Sequence, residues 1–207
     1  MTIPFLRSMA AALLAALAAN AASAKESWDS VVKPEVKVEV LPRSALVEVD
    51  GQARGRGFAT LDVTEPKRRF LVRASAEGFE TAEAVVEGGS IADRRFFLAL
   101  RPAGFGSGRR VDPGDAPSMA LAAAALWRAG RVDAAAEYAE QSLRGGNTPL
   151  ANRVLGDVWR RRGDRDRAIR YYAAYLSLAD DPPDAAEIKD WVSQVKGDIT
   201  VPAERGR

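Results

Sequence analysis

Residue types that could perform catalysis are sparse in this chain of 207 residues. It contains no cysteine and no histidine, which removes the thiol nucleophile, the commonest metal ligand and the commonest general base. Two carboxylate pairs remain for acid–base chemistry, Asp62 with Glu65 and Glu77 with Glu80. Both fall in predicted turns without an aromatic-lined cleft beside them. We therefore predict a protein that is not an enzyme and has no metal or cofactor site.

A run of arginines near the C-terminus is a better candidate for a binding site. Arg153 and Arg160 are seven residues apart, about two helical turns, so they share one face of a helix. Arginine forks on such a face suit an acidic peptide or a C-terminal carboxylate. The alternative is that arginines near a helix end complement the helix dipole and keep the surface soluble. The candidate contact residues are Trp127, Arg128, Arg153, Asp157, Arg160 and Arg161.

Other aromatic and basic groups favour structural interpretations. Tyr172 and Tyr175 have helical spacing, which indicates packing more than stacking on sugars or bases. Basic residues at 67–69 and 94–95 precede apolar strands, where charge either protects a sheet edge from aggregation or binds a polyanion, and we favour protection. The net charge of +2, from 30 basic and 28 acidic residues, is too small to indicate nucleic-acid binding.

The N-terminus has the pattern of a secretory signal. Arg7 precedes an apolar run over residues 9–19, and Ala22-Ser23-Ala24 fits a cleavage site. The apolar run is shorter than the roughly 20 residues of a membrane span. We therefore predict a signal peptide over residues 1–24, removal of this segment, and a periplasmic protein that does not span the membrane. Because the chain has no cysteine, it cannot carry a lipid anchor on that residue.

Composition divides the remaining chain into stretches of different character. After an N-terminal segment at 25–35, residues 36–101 alternate apolar and polar side chains, which predicts a small antiparallel β-sandwich. Residues 102–117 are rich in glycine and proline and predict a linker. Residues 118–197 are rich in alanine and predict helices, and 198–207 a flexible tail. The expected fold class is α+β with two domains.

The β region carries an ordered set of turn and strand residues. Valines at 36, 38 and 40 alternate with charged residues, and a second alternating run ends in a strong turn pair. The features that define the set are Pro42-Arg43-Ser44-Ala45, Val47, Val49, Asp50, Gly51, Gly55, Gly78 and Phe79. This set resembles the PEGA domain, a small β-rich module of prokaryotic envelope proteins.

The helical region contains two copies of one pattern, spaced by 33 residues, as from Gly130 to Gly163 and from Ala135 to Ala168. The later copy carries Leu155, Gly156, Trp159, Gly163, Ala168 and Tyr172. It resembles a tetratricopeptide (TPR) repeat, in which small residues let two antiparallel helices approach and aromatic residues fill the space between them. Because two repeats are fewer than such arrays usually need, we predict that a last helix after Pro183 is essential.

With the signal pattern and the sparse catalytic residue types, the two resemblances lead us to expect a secreted adaptor that is not an enzyme. Its TPR-like helices would bind a protein or peptide, with an acidic partner suiting the arginines, in the assembly or maintenance of a cell-envelope complex. The alternative is a module that binds envelope polysaccharide or peptidoglycan through the β region. We expect neither a nucleic-acid partner nor a cofactor.

Overall fold

The computed structural model describes residues 35–65, 67–89, 94–106 and 111–200, with side chains as far as Gly197 at the C-terminal end. These residues belong to one compact unit that begins at Glu35. The predicted signal peptide, residues 25–34 and the tail from residue 201 onward lie outside the described residues.

Among the described residues, seven strands form two sheets in the first part of the chain. They are β1 (Glu35–Leu41), β2 (Leu46–Val49), β3 (Gln52–Arg56), β4 (Phe58–Asp62), β5 (Arg69–Ser75), β6 (Ala82–Glu87) and β7 (Arg95–Ala99). The first sheet has the order β4-β1-β7 and the second the order β3-β2-β5-β6. Alternate residues of both sheets, such as Val38 of β1 and Val72 of β5, point into one apolar core between them, as the period of two predicts.

Two features of the sheets differ from the prediction. β1 and β7 pair in parallel, so the expectation of an antiparallel sandwich is wrong for this pair. The second sheet lies between these strands in the chain and supplies the long crossover that parallel pairing requires. In addition, β3 and β4 form where no strand is predicted. The predicted turn after β2 is confirmed, because Asp50 and Gly51 both have positive φ angles, 51° and 77°.

In the part of the chain that the structure describes, five helices follow the sheets and form two hairpins and a last helix. They are α1 (Ala116–Arg128), α2 (Val132–Gly145), α3 (Pro149–Arg161), α4 (Arg165–Leu178) and α5 (Ala185–Thr200). α3 and α4 begin and end 33 residues after α1 and α2, as residues 116 and 149 show. Gly130 and Gly163 occupy equivalent turns with φ angles of 75° and 78°, a left-handed conformation that glycine adopts without strain. The predicted repeat is therefore present as two hairpins of equal length.

The second hairpin is closely packed and covered by α5. A Cβ atom at Gly156 of α3 would overlap the ring of Tyr172 of α4, which is fully buried. Trp191 of α5 meets the Tyr172 ring edge-on, with 5.4 Å between ring centroids. Ile188 of α5 is completely buried in the same cluster. The last helix thus covers the final hairpin, and that it is essential stays a prediction.

The sheets and the helices share a second apolar core. Leu41 of β1 and Ala99 of β7 pack there against Met119 of α1 and Tyr138 of α2. The Tyr138 hydroxyl donates to the carbonyl of Leu100 at 2.5 Å and to that of Leu41 at 3.1 Å. Because each carbonyl is a backbone group of the sheet region, α2 is fixed to the sheet by polar as well as apolar contacts.

The stretch predicted as a linker, 102–117, contributes to this core at one end and to a helix at the other. Phe105 packs in the shared core, and α1 already begins at Ala116. Asp115 caps α1, because its carboxylate accepts a hydrogen bond from the backbone N–H of Ser118 at 2.9 Å.

Candidate functional site

Arg153 and Asp157, two of the predicted contact residues, belong to a polar network that joins three helices. Arg153 of α3 donates to Asp157 one turn later and, at 2.5 Å, to Asp184 just before α5. Tyr172 donates its hydroxyl to Asp157 at 2.7 Å, and Tyr175 donates to Asp184 at 2.7 Å. Both carboxylates are therefore satisfied within the protein, and the network fixes α5 against the second hairpin.

Arg160 and Arg161 contact different neighbours. The Arg160 guanidinium lies 3.5 Å from the carboxylate of Glu187 and 5.0 Å from the ring centroid of Trp191, both on α5. Arg161 instead lies 5.8 Å from the ring centroid of Trp127. The predicted contact residues thus fall into two groups, Arg153, Asp157 and Arg160 toward α5, and Trp127, Arg128 and Arg161 at the C-terminal ends of α1 and α3. That either group binds a partner stays a prediction.

Arg162, just after α3, and Arg167 of α4 lie against the ring of Trp159. Arg167 and Arg162 lie 4.0 Å and 4.9 Å from the centroid of its indole, distances at which a cation is attracted to an aromatic face. Arg162 also donates a hydrogen bond to the carboxylate of Asp133 of α2. These contacts connect the two hairpins, so part of the arginine run serves packing.

Because of the network around Asp184, the free energy of unfolding depends on pH in the acidic range. Burial alone would raise the pKa of Asp184, but hydrogen bonds from Arg153 and Tyr175 outweigh it and hold the pKa below its usual value. Asp184 therefore binds a proton more readily in the unfolded chain than in the folded chain. The contribution of its carboxylate to the free energy of unfolding is lost as the pH falls below about 4. Burial and the hydrogen bond to Asp184 raise the pKa of Tyr175 to about 12, so its hydroxyl remains a donor.

We expect Asp184→Asn to lower the urea midpoint of unfolding more at neutral pH than near about pH 2, because the lowered pKa of Asp184 makes its carboxylate lose stabilising charge only as the pH falls. Asp190→Asn is the matched control, because Asp190 is an exposed residue of α5. It should leave the urea midpoint unchanged at both pH values. An Asp184→Asn deficit of the same size at both pH values would contradict this assignment.

A groove of about 620 Å³ lies between the outer face of the first sheet and α2. Glu39 of β1 pairs in register with both Phe58 of β4 and Phe97 of β7, so these three residues form one row across the sheet. Phe97 packs partly against the helices, whereas the Phe58 side chain is 66% exposed. The floor of the groove thus offers a large aromatic ring to solvent beside a carboxylate.

α2 forms one wall of the groove. Glu137, Glu140 and Arg144 line it, and their spacing of three and four residues places them on one face of the helix. The carboxylate of Glu137 accepts a hydrogen bond from the backbone N–H of Arg43 at 2.7 Å, and burial raises the pKa of Glu137. Since the adjacent Tyr138 binds the sheet region, this wall is held firmly in place.

Arg43, Arg56 and Gly57 form one end of the groove. Arg56 donates to the carbonyl of Ser44 at 2.8 Å. Gly57 has a φ angle of 71°, and a Cβ atom there would lie 2.6 Å from the carbonyl oxygen of Arg43. A larger residue would therefore be strained at position 57, and the end of the groove is preformed.

Sequence patterns do not indicate this groove, because its floor includes a strand that was not predicted and its wall depends on where α2 packs. One usable signal is the alternation in β4, in which Ala59 and Leu61 are buried while Phe58, Thr60 and Asp62 are exposed. Among the predicted basic groups, Arg95 lines a smaller cavity that shares Phe97 and Arg144 with the groove.

The remaining candidates are the carboxylate pairs, a metal site and a membrane span. Glu80 forms an ion pair with Arg101 at 3.4 Å, and the carbonyl of Glu77 accepts from Arg131 at 2.5 Å. Within the described ranges, no group of three or more carboxylate, histidine or cysteine side chains is placed to hold a metal ion. No helix in the same ranges is both long and apolar enough to cross a membrane.

The fold is α+β, with a β part followed by a helical part, and residues of both parts line the groove. Comparison with protein-family models finds no match, and comparison with curated proteins finds none either.

Proposed function

We propose that this protein is a secreted, periplasmic adaptor without catalytic activity, which binds another protein in a cell-envelope complex. The two hairpins spaced by 33 residues support the TPR-like interpretation of the helices. The paired sheets with the turn at Asp50 and Gly51 support the PEGA-like interpretation of the β part. The observation that carries the proposal is Phe58, a phenylalanine 66% exposed within a preformed groove.

The mechanism of such an adaptor is geometric. The sheet and α2 are fixed to each other by Tyr138 and by the bond between Arg43 and Glu137, so little conformational freedom is lost in the groove when a partner binds. Preorganised surfaces with a central aromatic anchor are efficient protein-binding sites. Because α2 belongs to the first hairpin, the TPR-like and PEGA-like parts each supply one side of the site.

Phe58→Ser is expected to reduce crosslinking of the protein to its envelope partner about tenfold or more, since burial of an aromatic side chain contributes about 1.5 to 3 kcal/mol. Val85→Ser is the matched control, because Val85 is similarly exposed, at 60%, on the second sheet. Crosslinking in the native envelope followed by mass spectrometry provides the measurement. If both variants retain the partner equally, the groove is not the binding site.

Sedimentation with purified cell wall separates this proposal from polysaccharide binding. An exposed phenyl ring also stacks on sugars, so binding of the parent chain to cell wall, lost in Phe58→Ser but not in Val85→Ser, would favour the alternative function.

A further inference from the structure

The charged residues of the groove follow an order along its length. Lys37 lies one row before Glu39 on the outer face of β1, and Arg43 follows the end of that strand. On α2, Glu137 lies beside Arg43, whereas Arg144 lies toward the cavity that Arg95 lines. Basic residues therefore lie toward both ends, and Glu39 and Glu140 lie nearer the middle.

Three of the four basic residues that line the groove form no ion pair within the described part of the chain. Lys37, Arg56 and Arg144 form no ion pair there, and Arg144 donates to the neutral side chain of Gln141 at 2.6 Å. Arg43 differs, because its charge partly offsets the rise in the pKa of Glu137 beside it. The second sheet is different, because Arg69 and Arg73 pair with glutamates of β6. Unpaired cations beside an exposed aromatic ring favour an anionic ligand with an apolar component.

Resting on the proposed function, we infer that the groove binds an extended acidic segment of the partner protein. An apolar side chain of this segment lies on Phe58. Its carboxylates lie at the two ends, one set on Arg43 with Arg56 and the other on Lys37. Lys37 and Leu41, the last residue of β1, are four residues apart, which corresponds to about 13 Å of extended strand, so the segment spans at least about four residues.

The carboxylates of the groove set the pattern within the segment. Glu39 lies between the two phenylalanines of its row, and Glu140 lies on the wall. Both repel an acidic residue at the centre of the segment. A matching sequence therefore has acidic residues at its ends and an apolar, uncharged middle.

A fluorescein-labelled peptide of sequence Glu-Asp-Gly-Phe-Gly-Asp-Glu tests this inference by fluorescence anisotropy with the whole mature chain. The control peptides replace the acidic residues by Gln and Asn, or the Phe by Gly. We expect each control peptide to bind about tenfold more weakly than the acidic peptide. Added salt should lower the affinity for the acidic peptide. Equal binding of the acidic and amide peptides, or no binding of any of them, would overturn the inference.

Arg43→Ala and Lys37→Ala should each lower the affinity for the acidic peptide about two- to fivefold, as expected for exposed ion pairs. Arg43→Ala keeps the hydrogen bond to Glu137, because the donor is the backbone N–H. Arg54→Ala is the matched control, since Arg54 is exposed on β3 and lies outside the groove lining. If Arg54→Ala lowers the affinity for the acidic peptide as much as Arg43→Ala does, the peptide is attracted by net charge alone and the inference is overturned.

The same variants in the envelope crosslinking experiment separate the inference from the proposed function. Loss of the partner in Phe58→Ser with full retention in Arg43→Ala and Lys37→Ala would reject the acidic segment and leave the adaptor function standing. Retention in Phe58→Ser would reject the groove as the binding site, and the acidic segment with it.

Discussion

Replacing Tyr138 with alanine is expected to lower the free energy of unfolding by about 3 to 5 kcal/mol. The side chain is fully buried in the core shared by the sheets and the helices. Its removal leaves a cavity and takes a donor from the carbonyls of Leu41 and Leu100. Urea unfolding followed by circular dichroism measures the loss.

Two further variants show which part of Tyr138 is responsible. Tyr138→Phe keeps the ring and removes the hydroxyl, so we expect a smaller loss of about 1 to 3 kcal/mol. Phe58→Ala removes a ring that is 66% exposed and should stay within about 0.5 kcal/mol of the parent. If Phe58→Ala and Tyr138→Ala cost the same, Tyr138 does not join the two parts of the fold.

Ending the chain after Pro183 should lower the free energy of unfolding by at least about 2 kcal/mol, the lower limit for deleting a buried side chain the size of Ile188. The deletion also uncovers Tyr172 and Tyr175 and leaves Arg153 without Asp184. For a protein of this size, we expect the melting temperature to fall by at least about 4 °C.

The matched control is a chain that ends after Thr200, which retains all of α5. This control separates the effect of α5 from that of a shorter chain. Thermal unfolding of the chain ending at Pro183 that coincides with the control would show that α5 is not needed to cover the second hairpin.

Much of the helical architecture could be predicted from the sequence, because its signal is local and repeated. The 33-residue echo from Gly130 to Gly163 fixes both turns, and the small Gly156 opposite the large Tyr172 is the packing that the spacing indicates. β3 and β4 were missed because Gly55 and Gly57 interrupt the alternation of apolar residues. The parallel pairing of β7 depends on a crossover between distant segments, which no local pattern records.

The candidate site was harder to predict, since it depends on contacts between distant segments. The spacing of Arg153 and Arg160 indicates a shared helix face, but it does not reveal that Asp184 and Glu187 contact that face. The groove at Phe58 exists only because α2 packs across the first sheet. A hydroxyl that binds backbone carbonyls, as Tyr138 does, leaves no complementary residue type in the sequence to search for.

The position of the sheets beside the first hairpin has a consequence for the size of the helical array. Helical repeats bury little apolar surface alone and depend on neighbours on both sides. Here the sheets adjoin one hairpin through Tyr138, and α5 covers the other through Ile188. The β part thus takes the place of a terminal repeat, and two hairpins suffice where a free-standing array would need three or more.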